Sequence, residues 1–297
     1  VKARRHGRLK SPFPKVPWIM LASIAERTGT IATGADPARV ARRAVAEVLK
    51  AAQELCASND ATPEQVHALR RACRTAGVVI DLVGSVLDDA AADRLQKVLR
   101  KLRRRAGRVR DLDVHVEIAS ELLGEKGQPR RLQREIEEER PIHERALLEY
   151  VEKVTPARLR KLRARLAGNR DVDPTSIRKQ VAKRAGRWID RANEVLSHPL
   201  PEDSALHDLR IDLKKLRISL RTLRDLGAKG TKRKEVIIAG AARHLGRFHD
   251  VATLRERLEA RTDAALPEIA NLIRRLRTEE GNAVVSARDS LRKLRRA

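Results

Sequence analysis

Aromatic side chains are nearly missing from this chain of 297 residues, which holds only Phe13, Trp18, Tyr150, Trp188 and Phe248. Proteins that grip single-stranded nucleic acid stack its bases on rings, each stack contributing roughly 1–3 kcal/mol. With so few rings, the partner is expected to be recognised by charge and shape. Cysteine is as sparse: Cys56 and Cys73 match no metal-ligand spacing and are expected to be buried, reduced thiols of a cytoplasmic protein. No apolar run approaches the ~20 residues needed to cross a bilayer, so no membrane partner is expected. Trp18 to Ala22 is too short for the apolar segment of a signal peptide. The phosphate-loop pattern G-x-x-x-x-G-K-[ST] does not occur. No histidine lies three or four residues from His67 or His207, and His244 and His249 are five apart, on different helical faces. Neither a metal nor another cofactor is therefore expected, and no catalytic residue stands out. Strand-like alternation is absent as well, which predicts an all-α fold.

Positive charge is what the chain has in excess. Its 65 Lys and Arg outnumber 40 Asp and Glu, for a formal net charge of +25. Repulsion on that scale opposes compaction and calls for an acidic partner. Hydrophobic residues still make up 41% of the chain, and Leu, Val, Ile and Ala recur at helical spacing. The sequence therefore describes a folded protein, not a basic disordered tail.

Residues 1–35 are basic and aperiodic, and read as a tail or connector. From residue 36 the same punctuation occurs twice. Asp36-Pro37, His67, Gly107, Asp111 and Pro129 are matched by Asp173-Pro174, His207, Gly246, Asp250 and Pro267, at offsets of 137, 140, 139, 139 and 138 residues. The pattern predicts an internally duplicated four-helix unit, with repeat one over 36–168 and repeat two over 173–297. Asp-Pro opens the first helix of each repeat, and Thr62-Pro63-Glu64-Gln65 forms a capping box ahead of the His67 helix. The next helix is expected over about Ala90 to Ser120, a loop at Gly124 to Gly127, a helix from Pro129 to about Val154, and a short one from Thr155-Pro156 to near Gly168.

Each repeat carries a histidine followed at +3 by arginine and at +7 by a second cation: His67, Arg70 and Arg74, then His207, Arg210 and Lys214. At about 100° per residue the three share one stripe, and the apolar residues fall on the opposite side. A cationic ridge backed by a core face, presented twice, suits a polyanion. The second ridge continues through Lys215, Arg217 and Arg221. In the following helix of repeat one, Lys97, Lys101, Arg104, Arg105 and Arg108 form a further stripe, and Arg94 to Arg110 contains no acid. Repeat two keeps Arg243 and Arg247 there, but has Gly240 and Ala241 where repeat one has Lys101 and Leu102. Solvated helix faces usually pair Glu with Lys at i,i+4. The segment Arg134 to Lys153 does so, and reads as ordinary exposed surface. Sorting acids away from selected helices is what an anion site requires. Asp111 and Asp250, each just after a basic, glycine-containing turn, are expected to pair with an arginine and fix its rotamer.

The combination His67-x-x-Arg70-x-x-x-Arg74, Arg110-Asp111-Leu112-Asp113-Val114, Leu206-His207-x-x-Arg210-x-x-x-Lys214-Lys215-Leu216-Arg217 and Leu245-Gly246-x-x-x-Asp250 resembles the CHAD family, the conserved histidine α-helical domain, over residues 36–297. The resemblance implies two four-helix bundles related by a pseudo-twofold axis around a central basic groove. It also implies non-enzymatic binding of inorganic polyphosphate and association with polyphosphate granules. Thr75 and Gly77 stand where the family commonly has cations, so Arg71 is a substitute at the far end of the first ridge. Binding of nucleic acid or an acidic protein by the same basic surface is the alternative.

Overall fold

The computed structural model describes residues 36–58, 60–124, 129–154, 156–166, 173–197 and 203–295. The tail expected over 1–35, most of the expected glycine loop and the end of the short helix near Gly168 lie outside the described residues.

Helix starts follow the capping chemistry. Helix α1 spans Pro37–Cys56, and the Asp36 carboxylate accepts from the Ala38 and Arg39 amides at 2.9 and 3.1 Å. Helix α2 spans Pro63–Val83 behind a reciprocal box: the Gln65 amide donates to Thr62 Oγ1, and the Thr62 amide donates to Gln65 Oε1. A 3₁₀ turn over Gly84–Val86 breaks the periodicity. Helix α3 then runs over Asp89–Leu123, longer than the expected stretch, and its Asp88 cap accepts from the Ala91 amide at 2.6 Å. Gly124, at φ 71°, ends it in a conformation that favours glycine. Helices α4 (Arg130–Val154) and α5 (Pro156–Arg165) complete the first half. The second half consists of α6 (Pro174–Ser197), α7 (Asp203–Asp225), α8 (Thr231–Glu259) and α9 (Pro267–Arg295). Asp173 caps α6 through the Thr175 and Ser176 amides. The fold is all-α: among the described residues there is no strand, and no helix is long and apolar enough to cross a membrane.

Successive helices are neighbours in each half: α1–α2–α3–α4 in the first, α6–α7–α8–α9 in the second. The halves meet where α2 touches α7 and α3 touches α8, the second and third helices of the first half against the second and third of the second. The core does not divide by half. One apolar cluster holds Leu69, Ile80 and Leu99 together with Leu213, Leu220 and Leu245. A second joins Leu112, Ile118 and Ile136 to Val251, Leu254, Leu272 and Leu276. Burying a leucine of this kind contributes roughly 1.5–3 kcal/mol, so both clusters weld the halves together.

Two expectations change. Cys73 is buried in α2, where burial pushes its thiol up to about 12, but Cys56 is exposed at the last turn of α1. The apolar stripe of α1 ends at Leu55, leaving its neighbour outside. Helix α4 is not merely a solvated face either. Glu135 and Glu139 pair with Arg257 of α8, and Glu135 also pairs with Arg261. Arg140 donates to Asp113, Glu144 and the Ala61 carbonyl, each at 2.7 Å. These acids bridge elements, a use that i,i+4 spacing within one helix does not reveal.

Candidate anion-binding site

The two ridges meet at the α2–α7 contact. Arg70 and Arg74 of α2 come within electrostatic reach of Arg210 and Lys214 of α7, so four cations from both halves share one junction. Two carboxylates face them. Arg70 Nη2 lies 3.8 Å from Asp111 Oδ1 of α3, and Arg210 Nη2 lies 3.3 Å from Asp250 Oδ1 of α8. Each half thus couples the +3 arginine of its ridge to the aspartate of its next helix. Arg70 lies against α3 at Gly107, one turn before Asp111, where even a Cβ would make only ordinary contact with Arg70 Nε at 3.5 Å.

The junction is short of acceptors. Arg210 is only 7% exposed. The Nε atoms of both Arg70 and Arg210 are buried without a hydrogen-bond partner. Among the described residues Arg74 and Lys214 make no ion pair at all. Burial first, then the neighbouring arginines, push the Arg74 guanidinium down to about 10 and the Lys214 ammonium down to about 6. Arg210 is lowered by burial too, with Asp250 acting against the shift.

The histidines flank this cluster differently in the two halves. His67 is exposed, and burial of part of its ring together with Arg110, Arg71, Arg70 and Arg74 lowers its pKa. His207 packs against His249 of α8 with the rings tilted by 55°, their centroids 4.8 Å apart and Nδ1 atoms 3.3 Å apart. Burial, Arg210 and His207 push His249 down to about 3. The lowered values keep His67 and His249 neutral near pH 7, so each offers one N–H donor and no fixed charge. Beside His67, a cavity of about 630 Å³ opens between α2, α3 and α4, with Arg110, Asp113, Glu117 and Glu137 in its wall.

The remaining expected cations divide by surroundings. Lys97, Lys101, Arg104 and Arg108 lie exposed along α3; Arg104 and Arg108 stand one turn before Arg108 and Asp111, beside the junction. Arg71, Arg217, Arg221 and Arg243 are exposed as well. Arg105 turns towards α4, donating to the Ala146 carbonyl at 3.0 Å and lying over the Tyr150 ring at 4.9 Å. Arg247 is held by Glu121 at 2.6 Å and Glu279 at 3.0 Å, Arg110 by Glu117 at 3.2 Å, and Lys215 rests over Trp188 at 5.9 Å. Arg105 and Arg247 are thereby engaged inside the protein, away from the junction's unpaired charge. Arg103, absent from the expected stripe, is exposed on the α2 side of α3 and acts on Arg74. The missing signal was angular: Arg103 belongs to the Gln96–Arg103–Gly107–Arg110 line that faces α2, not to the neighbouring stripe.

The CHAD domain model matches residues 39–259, which include both histidine ridges and both aspartates. The chain belongs to the CHAD domain family. Among curated protein sequences, none matches this CHAD domain. Solved structures that share its fold include the following two. PptA from Streptomyces chartreusis is 17% identical with a TM-score of 0.63, over 88% of this chain and 98% of the other. The CHAD domain from the plant Ricinus communis is 18% identical with a TM-score of 0.62, over 91% and 95%.

Proposed function

We propose that this CHAD domain binds inorganic polyphosphate, without catalysis, at the junction of its two halves. The observation that carries the reading is the surplus of positive charge gathered at the junction, half-buried at Arg70, Arg74 and Lys214 and buried at Arg210, and faced only by Asp111 and Asp250. Like charges about 5 Å apart near a protein surface repel by roughly 3 kcal/mol. An anion placed among them removes that repulsion and supplies acceptors for the two orphan arginine Nε atoms. Polyphosphate fits because it offers one charge per phosphate and no base to stack, while guanidinium groups take phosphate oxygens bidentately. The exposed row Lys97, Lys101, Arg104 and Arg108 extends the site along α3 for a polymer. Both junction carboxylates are engaged by arginine, a use that supports binding in preference to phosphoryl transfer.

In the same reading, residues 36–297 form one functional unit of two repeats related by a pseudo-twofold axis, and the protein acts in the cytoplasm on polyphosphate granules. Competition binding tests the ligand. Long-chain polyphosphate should displace duplex DNA at about 150 mM salt, where steep counterion effects weaken nonspecific complexes. DNA that stays bound would overturn the reading in favour of nucleic acid. Release of phosphate from long chains incubated with Mg²⁺ or Mn²⁺ would overturn the non-enzymatic part.

A further inference from the structure

Near neutral pH arginine keeps its proton, Arg74 at about 10 included, whereas a lysine pushed down far enough loses it. Of the four cations packed at the junction, three are arginines, so Lys214 alone can relieve their mutual repulsion by becoming neutral. Its surroundings favour that outcome. Arg210 sits one helical turn before it on α7, Arg70 and Arg74 face it from α2, and Asp250 and the neutral His249 face it from α8. His207 lies further along α7 against His249. Asp111 of α3 reaches the cluster through Arg70 and Arg210. On the α6 side, Arg191 pairs with Asp212 at 2.8 Å and Trp188 takes Lys215. Asp111 and Asp250 are both committed to arginine, and among the described residues Lys214 makes no ion pair.

We propose that the junction captures its anion together with a proton, and that Lys214 is the group that takes the proton up. The inference rests on the proposed anion site and adds a chemical consequence to it. With the site empty at neutral pH, Lys214 is an uncharged amine, its ammonium having been pushed down to about 6. An arriving phosphate group supplies negative charge and oxygen acceptors within the same cluster. The amine then binds a proton from solvent and becomes an ammonium, forming one N–H bond, and the complex gains a fourth charged donor. His249, pushed down to about 3, is much harder to protonate and stays a neutral donor.

The test is calorimetric titration of the folded chain with tripolyphosphate at pH 7.5, in two buffers of different ionisation enthalpy. Because burial and the facing arginines favour the neutral amine in the empty junction, the difference in heat should correspond to net proton uptake, at most one proton per anion bound. Affinity should also weaken by up to about tenfold per pH unit above pH 6. Lys214→Arg carries a fixed charge and should lose the buffer-dependent heat whatever its affinity. Lys214→Met should lose it too, and circular dichroism checks that both variants keep their helices. Binding by the unaltered protein with the same heat in both buffers would overturn proton capture while leaving the anion site standing. Proton uptake that persists in Lys214→Arg would overturn the assignment to Lys214. No binding of tripolyphosphate or longer chains would overturn the site and the inference together.

Discussion

The two histidine helices carry the same pattern and put it in unlike surroundings. In the first half Arg70 is partly open, reaches Asp111 at 3.8 Å, and His67 stands beside Arg110 at the edge of a cavity. In the second half Arg210 is almost fully buried, reaches Asp250 at 3.3 Å, and His207 packs on His249, the residue at Arg110's repeat position. The following helices differ in the same sense. Helix α3 presents Lys97, Lys101, Arg104 and Arg108 to solvent, whereas α8 has Gly240 and Ala241 in its row and ties Arg247 to Glu121 and Glu279. One half offers an open cationic face and the other a fixed, enclosed charge. Counting cations makes the halves look like variants of one device; burial gives them separate duties.

The sharpest way to break that comparison is to remove the place where the halves cooperate. Reversing Arg70, Arg74, Arg210 and Lys214 together should abolish polyphosphate binding, a loss of more than about 1000-fold if each phosphate contact contributes 1–3 kcal/mol. Reversing the exposed Arg134, Arg145, Arg158 and Arg160 instead should leave most of the affinity. Equal losses in a filter-binding assay would mean the site is not localised.

The open face should matter less and differently. Neutralising Lys97, Lys101, Arg104 and Arg108 should weaken binding by about 10–100-fold and flatten the dependence of log affinity on log salt by roughly three units. Matching neutralisation of Arg243 and Arg247 should flatten it by no more than one, because Arg247 is already paired inside the protein.

Stability should separate the aspartates. Asp250→Ala strands a buried guanidinium and should cost about 1–3 kcal/mol in denaturant unfolding. Asp111→Ala breaks a longer, exposed pair and should cost less than about 1 kcal/mol. Similar costs would remove the distinction between an enclosed and an open half.

The last effect concerns pH. Lys214 binds its proton less readily in the folded chain, about 6, than in the unfolded chain, so unfolding takes up a proton between that value and the ordinary lysine range. Stability of the unliganded protein should therefore rise with pH from about 6 to about 10. Below about 6 the full penalty of the fourth charge is present. Melting curves of the unaltered protein and Lys214→Met should converge as pH rises. Parallel curves would contradict this.

Much of the fold is readable from single residues. Asp36, Thr62 with Gln65, and Asp173 each announce a helix start because a capping side chain must precede free backbone amides. The stripes of α2 and α7 identify their buried faces, since 3.6-residue periodicity has one solution for a helix of that length. The ridges His67–Arg74 and His207–Lys214 stand out by the same rule. Periodicity does not say which helix lies opposite, so the meeting of Arg74 with Arg210, the pairing of Glu135 with Arg257, and the inward turn of Arg105 were not legible. Nor was buried His115 of α3, held down to about 4 by burial and Arg257, a residue 142 positions away. Such pairings depend on tertiary distance, which the order of residues encodes only collectively.

The two apolar clusters each draw side chains from both halves of the chain. Neither half can therefore be a free-standing folding unit. Cutting the polypeptide between Leu166 and Asp173 would yield fragments with unsatisfied leucine faces, such as Leu112 and Ile118 on one and Leu254 and Leu276 on the other. Those fragments should re-associate as a split protein, and the intact chain should melt in one cooperative transition. Assembly of the charged junction is then a by-product of hydrophobic recognition elsewhere: leucines choose the partner, and arginines that would otherwise drift apart are delivered face to face.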